Sequence, residues 1–286
     1  VIQRSGIRLY HRGHQEVVNL YGGTGFIGTR FRSMFPCVVN KRDELVPKSN
    51  DILYLISTTD NYNIFTDPHI DIDTNLSLLI DVLEHCKGKE IVFNFASSWF
   101  VYGQIDSVDP IPETSHCHPQ GFYSITKHAA EQLLVSYCNT FNIKYRILRY
   151  ANVVGPGDMK VSEKRNVLSF LINKIKNNEP IQLVNNGLFT RDYIHVTDVC
   201  RATQLIMDKG ELNNIYNVGN EEPISFKDAI EYVIMKTKSK SVVTSVGASE
   251  TKSRVPNSCT INCSKLRNLG FRPIYNVYDI LDDLIN

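Results

Sequence analysis

Apolar residues along this chain fall into two alternating patterns. Short unbroken runs read as buried strands: "EVVNLYGG" at 16–23, "CVVN" at 37–40, "DILYLIS" at 51–57, "EIVFNFASS" at 90–98 and "IKYRILRYANVVG" at 143–155. Between them, "FIGTRFRSMF", "NLSLLIDVLEHC" and "FYSITKHAAEQLLVSYCNTF" space their apolar residues three and four apart, as one face of a helix requires. Strands that lack polar alternation are covered on both faces. The predicted architecture is therefore α/β, a doubly wound parallel sheet with helices on either side. Past "GPGD" at 155–158 the rhythm changes to helices mixed with short strands, the clearest helices being "NVLSFLINKIKNN" and "SFKDAIEYVIMKTK". The predicted division is an N-terminal arm at 1–15, a large domain at 16–157 and a smaller mixed α/β lobe, mainly 158–286, with 191–208 returning to the large domain.

Composition narrows the partners. A chain of 286 residues, 42% hydrophobic, can bury a sizeable core, and its net charge of +1 gives no reason to expect nucleic acid or an anionic membrane. No apolar run approaches the ~20 residues of a membrane helix. The opening "VIQRSGIRLYHRGHQ" is polar and basic, unlike a secretory leader. Seven scattered cysteines suit reduced thiols, so the expected location is the cytoplasm. "HCH" at 116–118 and the Cys259/Cys263 pair lack a second pair at ligand spacing, and no metal is expected.

The chemistry starts at "LYGGTGFIG", where a strand runs into a glycine turn that opens a helix. Gly22, Gly25 and Gly28 fit G-x-x-G-x-x-G, and Gly23, Gly25 and Gly28 also fit G-x-G-x-x-G. Such a turn lets backbone approach a pyrophosphate, with the helix N-terminus facing it. A Rossmann-type dinucleotide site is thus predicted, lined by Gly22, Thr24, Gly25, Phe26, Ile27 and Gly28. Tyr123 and Lys127 lie four apart on a predicted helix, hence on one face, where an ammonium would favour the phenolate. Either they form an acid/base pair, or a partly buried aromatic sits beside a solvated lysine. Ser98 ends a strand on the ligand-binding side and could donate to the oxygen that Tyr123 protonates.

"GGTGFIG", "SSWFVYG", "YSITK", "LRYANVVGPG" and "RDYIHVTDV" occur in the order and approximate spacing of the extended short-chain dehydrogenases. From about 16 to 270 the chain resembles their nucleotide-sugar epimerase/dehydratase branch. The resemblance implies that Tyr123 is the acid/base, that Lys127 holds the nicotinamide ribose and lowers the tyrosine pKa, and that Ser98 is the catalytic Ser/Thr. It also implies that Asn75 lies near the cofactor, that Asn152, Arg191 and Arg254 hold the sugar nucleotide, Arg191 through its diphosphate, and that the protein is a homodimer. Without the family, Arg191 beside Asp192 would read as a surface ion pair.

Three departures narrow the reaction. Dehydratases of the branch carry Asp-Glu after the catalytic Ser/Thr. Trp99 and Phe100 stand there and cannot transfer a proton, which argues against dehydration and weakens a sugar-acid decarboxylase reading. After the second strand, where NAD-preferring relatives place an acid, stand Asn40, Lys41 and Arg42, which suit the 2′-phosphate of NADP(H). Asp43 and Glu44 follow and keep NAD(H) open. About ten residues join the second and third strands where epimerases have several times more, and Tyr54 replaces a histidine. The expected function is hydride transfer at C4 of a nucleotide-linked hexose, favoured as an NADPH-dependent 4-keto reduction. A 4-epimerase using NAD and a non-catalytic dinucleotide-binding scaffold are the alternatives.

Overall fold

The computed structural model describes residues 17–59, 62–103, 109–158, 166–247 and 258–286. The predicted arm at 1–15 and Arg254 lie outside the described residues. Strands β1 (Val18–Tyr21), β2 (Cys37–Val39), β3 (Asp51–Tyr54), β4 (Val92–Ser98), β5 (Lys144–Tyr150) and β6 (Asn214–Val218) form a six-stranded sheet in the order β6-β5-β4-β3-β1-β2. Every pairing in it is parallel. The α/β doubly wound Rossmann-type architecture is therefore observed. Asn214–Val218, beyond the stretch at 191–208, supplies an edge strand.

Helices cover both faces. Val18 and Leu20 of β1, with Leu53 of β3, pack under Phe31 of α1 (Phe26–Met34). Tyr21, Tyr54, Phe93, Phe95 and Ile147 point the other way, against α2 (Leu78–Glu84) and α3 (Phe122–Phe141). Side chains alternate across a strand, so one apolar run serves two cores. A further helix, α4 (Val196–Lys209), returns to the α1 face, where Arg30 Nε and Nη2 donate to Thr197 Oγ1 at 3.1 and 2.9 Å. Away from the sheet, Leu168, Ile172, Ile181, Tyr193, Phe226, Ile230 and Ile280 form their own buried cluster.

Because β1 lies between β2 and β3, the chain leaves it in both directions, and a crevice opens at the carboxyl ends of the strands there. No helix joins β2 to β3. Residues 40–50 instead run back across the face carrying Asn19 and Tyr21. Tyr21 Oη donates to Leu45 O at 2.7 Å, and Lys48 N donates to Asn19 Oδ1 at 2.6 Å. This strap covers with eleven residues what a strand–helix unit would otherwise cover, and it leaves β2 as the end of the sheet among the described residues.

Candidate active site

The glycine turn is built for close approach. A Cβ on Gly28 would lie 2.2 Å from Gly22 O and 2.8 Å from Gly23 Cα, so only glycine lets α1 start this near the end of β1. The N-cap of α1 is Gly25, and no side chain caps the helix. The first-turn amides of Phe26, Ile27 and Gly28 therefore have no side-chain acceptor, while Thr24 and Gly25 are exposed. That donor set suits the pyrophosphate of a dinucleotide.

Across the crevice, β4 ends at Ser98, whose Oγ accepts from Phe100 N at 3.3 Å and starts a short 3-10 turn, Trp99–Tyr102. Gly103 follows at φ 68°, where a Cβ would overlap His118 O at 1.7 Å. The contact brings His118 beside Tyr102, and three residues later Gly121 caps α3. Ser124 Oγ accepts from Gly121 N at 2.9 Å and donates to Gly121 O at 2.7 Å, fixing the first turn of α3. Tyr123 thereby enters on that turn with its ring edge-on to Phe100, centroids 6.2 Å apart, and Phe100 stacks on Trp99 at 4.4 Å. Tyr123, Lys127 and Ser98 are all buried.

Lys127, one turn on from Tyr123, is 2% exposed with Nζ 4.3 Å from the Phe95 ring centroid. Burial pushes its ammonium down to about 7, against the opposing pull of the Glu131 carboxylate. Lys127 and Tyr123 are both buried, so they are not a solvated surface pair. Asn75, 2% exposed, ties this helix to the loop after β3. Its Nδ2 donates to Thr126 Oγ1 (3.0 Å) and Thr58 Oγ1 (2.7 Å), while Oδ1 accepts from Thr58 N (2.9 Å) and Ser57 Oγ (3.0 Å). Thr58 Oγ1 also bonds Asp71, which is fully buried.

Arg191 is 5% exposed, its guanidinium 5.5 Å from the Trp99 ring and 5.0 Å from the Phe189 ring. Burial lowers its pKa. Its neighbour Asp192 faces away, accepting from Asn220 N and Glu221 N at 3.2 Å each, with burial raising its carboxyl to about 7. The surface ion pair that adjacency would suggest does not form. Asn152 Nδ2 donates to Asp192 O at 2.9 Å, which fixes the backbone beside Arg191.

At the strap, Asn40 is buried with both ends of its amide engaged: Oδ1 accepts from Asn19 Nδ2 at 2.8 Å, and Nδ2 donates to Glu44 O and Val46 O at 2.7 and 3.1 Å. Lys41 and Arg42 are exposed. Glu44 Oε2 is taken by Lys48 Nζ at 2.5 Å and by Lys41 N at 2.9 Å. So Ser98 and Tyr123 both contact Phe100, Lys127 follows one turn on beside the Phe95 ring, Arg191 stands over Trp99, and Asn40 and Asn75 act first as ties within the protein. Sequence reading missed Glu131 and Arg149. Local sequence carried no signal for them, since their partners come together only in the folded chain.

A model of the NAD dependent epimerase/dehydratase family matches residues 48–219, a stretch that begins after the glycine turn and includes Ser98, Tyr123, Lys127 and Arg191. The dTDP-4-dehydro-6-deoxyglucose reductase of Escherichia coli is 28% identical over 199 residues, which cover 69% of this chain and 61% of that protein. The chain spans between 37% and 61% of the length of the first curated relatives it matches. RMD from Pseudomonas aeruginosa, solved with NADPH, matches with a TM-score of 0.82 at 21% identity, covering 95% of this chain and 98% of that one. UDP-glucose 4-epimerase of Thermotoga maritima, solved with UDP-glucose, matches at 0.80 and 23%, covering 94% and 97%. At those identities the two structures speak for the fold. With more than half of its residues inside the family match, this chain belongs to the NAD dependent epimerase/dehydratase family.

Proposed function

We propose that the chain reduces the C4 ketone of a nucleotide-linked hexose, using NADPH. A bound nicotinamide supplies the hydride. Tyr123 delivers the proton to the C4 oxygen, Lys127 as a cation stabilises the resulting phenolate, and the Ser98 hydroxyl donates to the same oxygen. Trp99 and Phe100 form an apolar wall beside Tyr123 and have no proton to give, so water elimination has no acid of its own there. Arg191 offers a fork to a diphosphate.

The observation that carries the reductase reading is the turn after β2. Where an acid would accept from an adenosine ribose stands the buried amide of Asn40. The nearby Glu44 is bound by Lys48, and Lys41 and Arg42 are exposed. A 2′-phosphate meets two cations there. Replacing both by alanine should cut the preference for NADPH over NADH roughly tenfold, leave NADH binding nearly unchanged, and flatten the salt dependence of NADPH binding. Titrating both cofactors with both proteins decides it. A wild type that retains NAD through purification, ignores NADPH and interconverts C4 epimers would replace this reading with the epimerase.

Arg191→Ala should weaken sugar-nucleotide binding by about 2–5 kcal/mol while dinucleotide affinity changes little. Calorimetry with each ligand measures the two effects separately, and equal losses would make Arg191 a structural residue.

A further inference from the structure

The face of α3 that carries Tyr123 and Lys127 continues for another turn. Glu131 follows Lys127 by four residues, about 6 Å along the axis, and is 1% exposed. Its carboxylate is gripped from two strands. Arg149 of β5 donates through Nη2 to Oε2 at 2.6 Å and through Nε to Oε1 at 3.1 Å, while Ser97 of β4 donates to Oε1 at 2.5 Å. A buried ion pair of this kind is weak support for stability, since apolar residues of similar volume commonly serve as well. Its place in the fold is more telling: it lies under the lysine that the reaction uses.

We propose that Glu131 is a positioning residue for catalysis, a fixed negative charge that Arg149 and Ser97 hold beneath Lys127 so that Lys127 remains a cation in the closed site. This rests on the roles assigned above to Tyr123 and Lys127. Among the described residues, the Phe95 ring of β4 faces Lys127; Tyr123 and Glu131 lie one turn away on its own helix, Asn75 bonds the adjacent Thr126, and Ser97 of β4 and Arg149 of β5 hold the carboxylate of Glu131. Among these, Glu131 is the charge that opposes the desolvation of the lysine. Arg149 orients and partly neutralises the carboxylate. It also lies 4.8 Å from the Tyr102 ring centroid and donates to Glu113 O at 3.3 Å, so it is fixed independently of the helix.

The test is a titration of Lys127 itself, by NMR of isotope-labelled lysine in the ligand-free protein, with the resonance assigned by its loss in Lys127→Met. In Glu131→Gln the midpoint should fall by about one pH unit or more, and the high-pH limb of dinucleotide binding should move with it. Ser97→Ala strips a hydrogen bond from the carboxylate but keeps both charges, so it should leave the midpoint within a few tenths of a unit. If Glu131→Gln does not fold, the double variant Glu131→Gln/Arg149→Met removes the stranded cation and should still lower the midpoint. An unmoved midpoint in a folded variant lacking Glu131, or a fall in Ser97→Ala as large as in Glu131→Gln, overturns the inference. A shifted midpoint in a protein that transfers no hydride supports the inference and removes the proposed function. Normal turnover with an unmoved midpoint does the reverse.

Discussion

Turnover by a Tyr123→Phe variant is expected to fall roughly 10²–10⁴-fold, with dinucleotide affinity nearly intact. The substitution removes one hydroxyl and nothing else. The ring keeps its edge-on contact with Phe100, and the backbone carbonyl keeps the hydrogen bond from Thr126 Oγ1 at 3.0 Å. Ser124 and Gly121 anchor the first turn of α3 and are untouched by the substitution. Single-turnover absorbance of the nicotinamide, with a 4-keto sugar nucleotide as substrate, reads the chemical step directly. Near-normal rates from the Phe protein would remove Tyr123 from the mechanism.

Lys127→Met should act in opposite directions on activity and on stability. Activity should drop about a hundredfold or more, because the phenolate loses its cation. The ligand-free protein should become more stable, because a buried ammonium is exchanged for an unbranched apolar chain of similar length. The sign follows from the direction of the shift. Folding depresses Lys127 from 10.5 to about 7, so between those values the unfolded chain holds the proton and the folded chain does not. Wild-type stability therefore rises with pH across that window, and the penalty is greatest below it. Near pH 6 the penalty is at most about 5 kcal/mol. Urea unfolding of both proteins from about pH 6 to pH 10 should show the advantage of the variant shrinking as pH rises. A constant gap, or none, would mean that Lys127 is not buried as a cation.

The sheet was legible because its strands are local. β1, β3 and β4 are short, largely apolar runs that are buried along most of their length, so hydrophobicity marks them. β6 escaped that signal. In Asn214–Val218 two of five residues are asparagines, and Asn217 becomes buriable only through partners far along the chain: Ile111 O at 2.9 Å, Asn262 O at 3.0 Å and the Tyr102 hydroxyl at 2.7 Å. Glu131 was illegible for the same reason. In "HAAEQLL" it reads as a solvated position, and its partners Arg149 and Ser97 lie on strands that reach it only in the folded protein. Arg191 and Asp192 show the converse error, since neighbours in sequence need not be neighbours in space. On an extended strand they point to opposite sides, one toward Trp99 and the other toward the amides of the 220–221 turn.

The strap has a further effect, on how the molecule meets its own copies. With no strand outside it among the described residues, β2 presents a rim of unpaired backbone groups, and such a rim invites another chain to add a strand. Two properties blunt it. The strand is only three residues long, and it runs directly into Lys41, Arg42 and Asp43, all exposed. Charges placed there repel or desolvate badly against an incoming backbone. The two cations proposed for cofactor choice therefore also stand at the margin of the sheet, where Val38 is 36% accessible. The proposed selectivity for a phosphate and this protection of the edge fall on the same pair of side chains.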